Sequence, residues 1–83
     1  MNLKQMEYFV AAAEQLNFTR AARQCFISQT AMTLQIQSLE EKVGVPLFVR
    51  DKHHVELTAA GKVYLKEARA ILIRAEEAAK LAR

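Results

Sequence analysis

Residues 18–40, FTRAARQCFISQTAMTLQIQSLE, constrain the fold of this 83-residue chain more than any other stretch. They read as two short helices separated by a tight polar turn. Asn17 is placed to cap the first helix, which runs to about Gln24, and Ala21 and Ala22 permit close packing. Phe26 and Ile27 follow as apolar plugs. Ser28 then caps the second helix, which runs to about Lys42, with Gly44 as its stop. Along that helix Met32, Ile36, Leu39 and Val43 step by four, three and four, which defines a buried stripe bordered by Ala31.

The flanking segments complete the outline. Asn2 with Gln5 resembles a capping box, and Leu3, Met6, Val10 and Ala13 recur at helical spacing, widened by Phe9 and Leu16. The first helix is therefore expected over about Leu3 to Gln15. After Pro46 the texture changes. Leu47–Arg50 and His54–Leu57 are short, β-prone and roughly alternating, joined by a polar link at Asp51-Lys52-His53. Thr58 caps a long last helix through Arg83, about 39 Å at 1.5 Å per residue. Gly61 inside its first turn is expected to weaken that start slightly. Three helices and a two-stranded ribbon make a mainly α winged helix-turn-helix over residues 1–57, with a linker helix over 58–83. The alternative is a plain three-helix bundle with an irregular tail. The hairpin separates the two and favours the wing.

Composition narrows the class. With 52% hydrophobic residues, two Gly and one Pro, the chain is expected to be ordered. The single cysteine, Cys25, gives no internal disulfide and fits a reducing compartment; a free thiol buried among apolar neighbours is expected, over redox sensing. No apolar run approaches the roughly 18–20 residues of a membrane span, and MNLKQMEYF lacks a signal peptide's apolar block, so a cytoplasmic protein with no membrane partner is expected. The net charge of +3 is a weak pointer to nucleic acid, because six basic residues face six acidic ones up to Leu57. Placement says more: basic residues cluster at Arg20/Arg23 and Arg50/Lys52.

The helix after Ser28 carries the functional pattern. Rotating away from its apolar stripe exposes Gln29, Thr30, Thr33, Leu34 and Gln37, where a surface helix ordinarily shows Lys and Glu. Gln can bond adenine at N6/N7, and Thr can donate, accept or touch a thymine methyl. The bland reading is a solvated helix rich in Gln and Thr. Leu34 has two readings of equal weight, an incidental exposed leucine or a contact to thymine methyls. The Ser28 end of the helix suits a phosphate. Arg20 and Arg23 on the preceding helix fit the phosphate backbone, and Arg50, Lys52, His53 and His54 fit or flank the minor groove from the wing. The adjacent histidines lack ligand spacing, which leaves zinc as the minor reading beside a solvated turn or protonation-enhanced phosphate binding. Glu40/Glu41 and Glu76/Glu77 read as charged surface, without the His partner or phosphate loop of a catalytic site.

In the last helix Tyr64, Ala68, Ile71, Ala75, Ala78 and Ala82 form a heptad seam, flanked by Leu65, Leu72 and Ala79 on one side and Leu81 on the other. A head this small is expected to cover only Val63 to Leu65, leaving the distal seam to a second copy, hence a homodimer. The helix reaches Arg83 without a stop signal, as expected of a piece of something longer.

At this point the chain resembles the N-terminal DNA-binding region of the LysR-type transcriptional regulators over essentially its whole length. The residues that carry the resemblance are Leu3, Phe9-Val10, Phe18-Thr19-Arg20-Ala21-Ala22, Ser28-Gln29, Ala31, Gln35-Ile36, Ser38-Leu39-Glu40, Gly44-Val45, Leu47-Phe48, Arg50 and Leu57-Thr58-Ala60-Gly61. The resemblance implies a bacterial transcription regulator binding an interrupted inverted repeat in double-stranded DNA as a homodimer, or as a tetramer when full length. It implies a dimerising linker helix, and a C-terminal effector-binding domain absent from these residues. The small-molecule effector belongs to that domain, so no cofactor is expected here; RNA polymerase is a further partner of the intact protein. Carried over by position, Gln29, Thr30, Thr33 and Leu34 look like the base-reading set, Arg50 and His53 like the wing contact, and Thr19 like a backbone contact. Three positions depart from the family's habit, which is often Pro at 30, Arg at 34 and Arg at 53. The rival class is a module that assembles proteins without DNA, which the salt dependence of DNA binding would separate. No constellation supports an enzyme.

Overall fold

Four side-chain caps divide the chain into its helices. The Asn2 Oδ1 accepts the Gln5 backbone N–H at 2.8 Å, Asn17 Oδ1 that of Arg20 at 2.9 Å, Ser28 Oγ that of Ala31 at 3.0 Å, and Thr58 Oγ1 that of Gly61 at 2.9 Å. Each satisfies a donor that a helix start would otherwise leave unpaired. In the computed structural model, which describes residues 1–51 and 54–83, these caps open α1 (Leu3–Gln15), α2 (Phe18–Gln24), α3 (Gln29–Val43) and α4 (Ala59–Ala82). Gly44 ends α3 with φ 91°, its N–H donating to the Glu40 carbonyl. Between α3 and α4 lie β1 (Phe48–Arg50) and β2 (Val55–Leu57), an antiparallel pair with Phe48 opposite Leu57, Val49 opposite Glu56 and Arg50 opposite Val55. The wing is therefore formed, and the irregular-tail alternative falls.

Aromatic contacts run through the core and tie α4, α1, β1 and α2 together. Tyr64 of α4 meets Phe9 of α1 edge-on at 5.1 Å, Phe9 meets Phe48 of β1 at 5.4 Å, and Phe48 meets Phe18 of α2 edge-on at 5.2 Å. Such tilted and edge-on pairs add to what their buried area contributes. Met32, Ile36 and Leu39 of α3 are fully buried beneath them, as the stepping of four and three required, while Val43 is half-buried.

Several local expectations are corrected. The inward face of α1 is centred on Gln5, Phe9 and Ala12, and Leu3 and Leu16 are exposed, because α1 touches α2, α3 and α4 and its buried arc turns toward all three. Gln5 does not complete a capping box: its Nε2 reaches across to α3, 3.3 Å from the Gln35 carbonyl and 3.2 Å from Gln35 Oε1. Phe26 is not a plug. The Phe26 N–H donates to Arg23 and the Ile27 N–H to the Ala22 carbonyl, a Schellman ending in which Phe26 takes the left-handed position at φ 60°. That backbone turn swings its ring outward, leaving it 95% exposed, while Ile27 packs against the core. Cys25 is a free thiol, but half-buried rather than buried.

Gly61 is also reassigned. A Cβ there would collide with the Leu47 carbonyl oxygen, which already accepts the Thr58 N–H. The glycine lets the first turn of α4 lie directly on the chain entering the wing. Thr58 Oγ1 closes the same corner by donating to the Pro46 carbonyl at 2.8 Å.

Candidate nucleic-acid interface

The five residues that the sequence singles out on α3 come together. Gln29, Thr30, Thr33, Leu34 and Gln37 line one shallow open depression on the outer face of the helix. All are exposed except Thr33, which is half-buried, and Leu34 is 59% exposed. The opposite face carries Met32, Ile36 and Leu39 into the core, so helical periodicity itself turns the amides and hydroxyls outward. Thr19, in the first turn of α2, reaches this face: its hydroxyl donates to Gln29 Oε1 at 2.8 Å. Arg20 and Arg23 are exposed on α2, and Ser28 stands exposed at the start of α3.

The wing's basic residues are placed differently from one another. Alternation along β1 puts Arg50 on the same side as Phe48. Its guanidinium accordingly lies 5.1 Å from the Phe18 ring centroid and donates to Glu40 Oε1 at 2.9 Å. Glu40, read from sequence as surface charge, is instead a junction. Its Oε2 accepts the backbone N–H groups of Leu47 at 2.7 Å and Phe48 at 3.1 Å. A single carboxylate thus fixes the end of α3 to the start of the wing. The equal alternation of Phe48 and Arg50 was the available signal for Arg50; no local signal marks Glu40. The Asp51 N–H donates to the His54 carbonyl at 3.0 Å, extending the hairpin, and His54 Nε2 lies 3.1 Å from Glu56 Oε1. Lys52 and His53 lie outside the described residues. Among the described residues no group of three or more His, Cys, Asp or Glu side chains is arranged to hold a metal.

The predicted seam of α4 divides. Ala68 is fully buried in the head, and Tyr64, Leu65 and Leu72 pack against the same core. These four positions serve the chain's own fold, because α4 lies along α1, held also by Arg69 donating to Glu14 Oε2 at 2.9 Å. Val63, expected to pack inward, is 64% exposed. Beyond the head, Ile71, Ala78, Ala79, Leu81 and Ala82 are exposed and Ala75 is half-buried; Ile73, absent from the predicted seam, is exposed as well. No helix among the described residues is long and apolar enough to cross a membrane.

Caps, buried stripe, outward polar face and wing together define a winged helix-turn-helix. Residues 3–62 match the bacterial regulatory helix-turn-helix proteins of the lysR family, and the chain belongs to that family, one of transcription regulators. It is 55% identical over 78 residues to the Hca operon transcriptional activator HcaR of Escherichia coli (strain K12), covering 94% of this chain and 26% of that protein. It is 44% identical over 82 residues to the regulator AlsR of Bacillus subtilis (strain 168), covering 99% of this chain and 27% of that one. The chain thus spans about a quarter of the length of these relatives. Among solved structures, the DNA-binding domain of CbnR in complex with DNA superposes with a TM-score of 0.97 at 41% identity, covering 100% of this chain and 95% of that one. The BenM DNA-binding domain with its benA site 1 DNA gives 0.93 at 33% identity, covering 99% and 92%.

Proposed function

We propose that residues 1–57 are a sequence-specific DNA-reading head and that residues 58–83 are the linker helix that pairs two such heads. The observation that carries this reading is the α3 depression, where Gln29, Thr30, Thr33, Leu34 and Gln37 offer uncharged donors, acceptors and one apolar side chain at the width of a helix. A B-DNA major groove admits a helix and distinguishes base pairs by such groups. Arg20 and Arg23 are assigned to the phosphate backbone, Ser28 offers the N-terminus of α3 to a phosphate, and Lys52, His53 and His54 are assigned as minor-groove or backbone contacts. Arg50 is engaged by Glu40 and Phe18, so its part in this arrangement is to hold the wing at its angle. That close structural relatives are DNA complexes supports the same placement.

A second copy is the partner assigned to distal α4, where Ile71, Ile73 and Leu81 are exposed. Paired heads read an interrupted inverted repeat, with spacing set by the linker helices. In the intact regulator, acting in the bacterial cytoplasm, tetramer formation, RNA polymerase contact and a small-molecule effector belong to the remaining length; no cofactor and no catalysis are assigned to these residues. Selection of bound duplexes from a random pool, followed by a salt titration, tests the reading. Enrichment of two related half-sites at fixed spacing, with affinity falling steeply in salt, is expected. A pool that stays random overturns it.

A further inference from the structure

The Thr19–Gln29 hydrogen bond joins the start of α2 to the first residue of α3, on the face that carries the reading groups. The glutamine amide is planar, and its Oε1 and Nε2 diverge from one carbon. Pinning Oε1 to the Thr19 hydroxyl therefore turns the NH2 group, with its two donors, away from α2. We propose that Thr19 is a positioning residue for base recognition: it fixes the Gln29 amide with its two N–H donors turned away from α2, which favours base edges that present an acceptor. This rests on the DNA-reading role of α3 and sharpens it.

The chemistry then makes a definite choice. Guanine offers O6 and N7, adenine N7, and thymine O4, to an incoming N–H group. Cytosine presents its N4 amine, a donor, and is rejected. Adenine is best read by both ends of a glutamine amide, with Oε1 accepting from N6 while Nε2 donates to N7. The Thr19 hydroxyl takes one of the two lone pairs of Oε1 and leaves the other for that contact, with the two N–H donors held in place. Thr19 thus sharpens, without touching a base, the preference of Gln29 for edges that present an acceptor over cytosine. In free solution this exposed bond is weak because water competes for both partners. Inside a closed protein–DNA interface that competition is removed and the orientation persists.

The test is selection of bound duplexes by the intact chain and its variants, with folding checked by circular dichroism. Gln29→Ala locates the relevant base pair by flattening preference there. At that position wild type and Thr19→Ser are expected to disfavour cytosine, and Thr19→Val to weaken that discrimination by about fivefold, the scale of one hydrogen bond. A double-mutant cycle between Thr19→Val and Gln29→Ala on the best site should show a coupling of similar size. If Thr19→Val keeps the wild-type base profile, the proposal is overturned. A uniform loss over all sequences with a shallower salt slope also overturns it, because that marks Thr19 as a phosphate ligand. A wild-type pool with no enrichment overturns the DNA-reading role itself, which is a separate failure.

Discussion

Gly61 of α4 sits directly against the main chain of Leu47: a Cβ at position 61 would overlap the Leu47 carbonyl oxygen and stand 3.0 Å from Leu57 Cδ2. Helix propensity alone makes Gly61→Ala stabilising by about 1 kcal/mol. The collision reverses the sign, since backbone on both sides cannot yield as a flexible side chain can. Gly61→Ala is expected to lower stability by about 2–3 kcal/mol, as overpacking does, in urea unfolding followed by circular dichroism. A stabilised variant would refute this account of the α4 corner.

Glu40 supplies the next expectation. Removing its carboxylate strands the Leu47 and Phe48 N–H groups and releases Arg50. Glu40→Ala should therefore lower stability by about 2–3 kcal/mol, with Glu40→Gln intermediate because an amide oxygen in the place of Oε2 still accepts both N–H groups while the acceptor for Arg50 is lost. Equal stability of Glu40→Ala and wild type would return Glu40 to the role of surface charge.

Phe26 predicts an opposite effect. Its ring is 95% exposed and its φ is 60°, the position where helix endings usually place Gly. Phe26→Gly relieves roughly 1 kcal/mol of left-handed strain at little packing loss. Stability is expected to rise slightly or hold; a clear fall in the unfolding midpoint would show that the ring contributes a contact.

Burial raises the pKa of both Cys25 and Tyr64 above its ordinary value, with the desolvation of the charged form as the cause. Both groups hold their protons more tightly folded than unfolded. Their contribution to stability is complete below the ordinary thiol and phenol values, about 8.5 and 10, and is lost as pH rises through and beyond them. Urea midpoints should fall between about pH 8 and 11, with Cys25→Ser removing the earlier part of that fall. A flat profile would contradict the linkage.

The division of α4 separates association from folding. Ile73→Asp with Leu81→Asp should convert a dimer to monomer in sedimentation at tens of micromolar while leaving the unfolding midpoint nearly unchanged, because both side chains are exposed. Leu72→Ala packs on the head and should instead lower stability by about 1–3 kcal/mol. Loss of folding in the double aspartate variant would place distal α4 in the head's own core.

Much of this molecule is legible in its sequence because its signals are short-range. Asn2, Asn17, Ser28, Thr58 and Gly44 stand at the helix ends they announce, since capping involves atoms three or four residues apart. The stepping of Met32, Ile36 and Leu39 likewise fixed which side of α3 faces out, and with it the candidate reading set. The relationships that local signals do not carry share a different character. Glu40 accepts from residues seven and eight positions away, Arg50 lies over Phe18, Ala68 is buried in the head, and Gly61 is dictated by Leu47. Gln29 acquires its direction from Thr19, ten residues earlier on another helix. By itself the sequence determined the elements, their ends and the family. Tertiary structure decided which charges face water, which residues of the α4 seam stay exposed and how the Gln29 amide is turned. Those outcomes depend on distances between elements, which only packing sets.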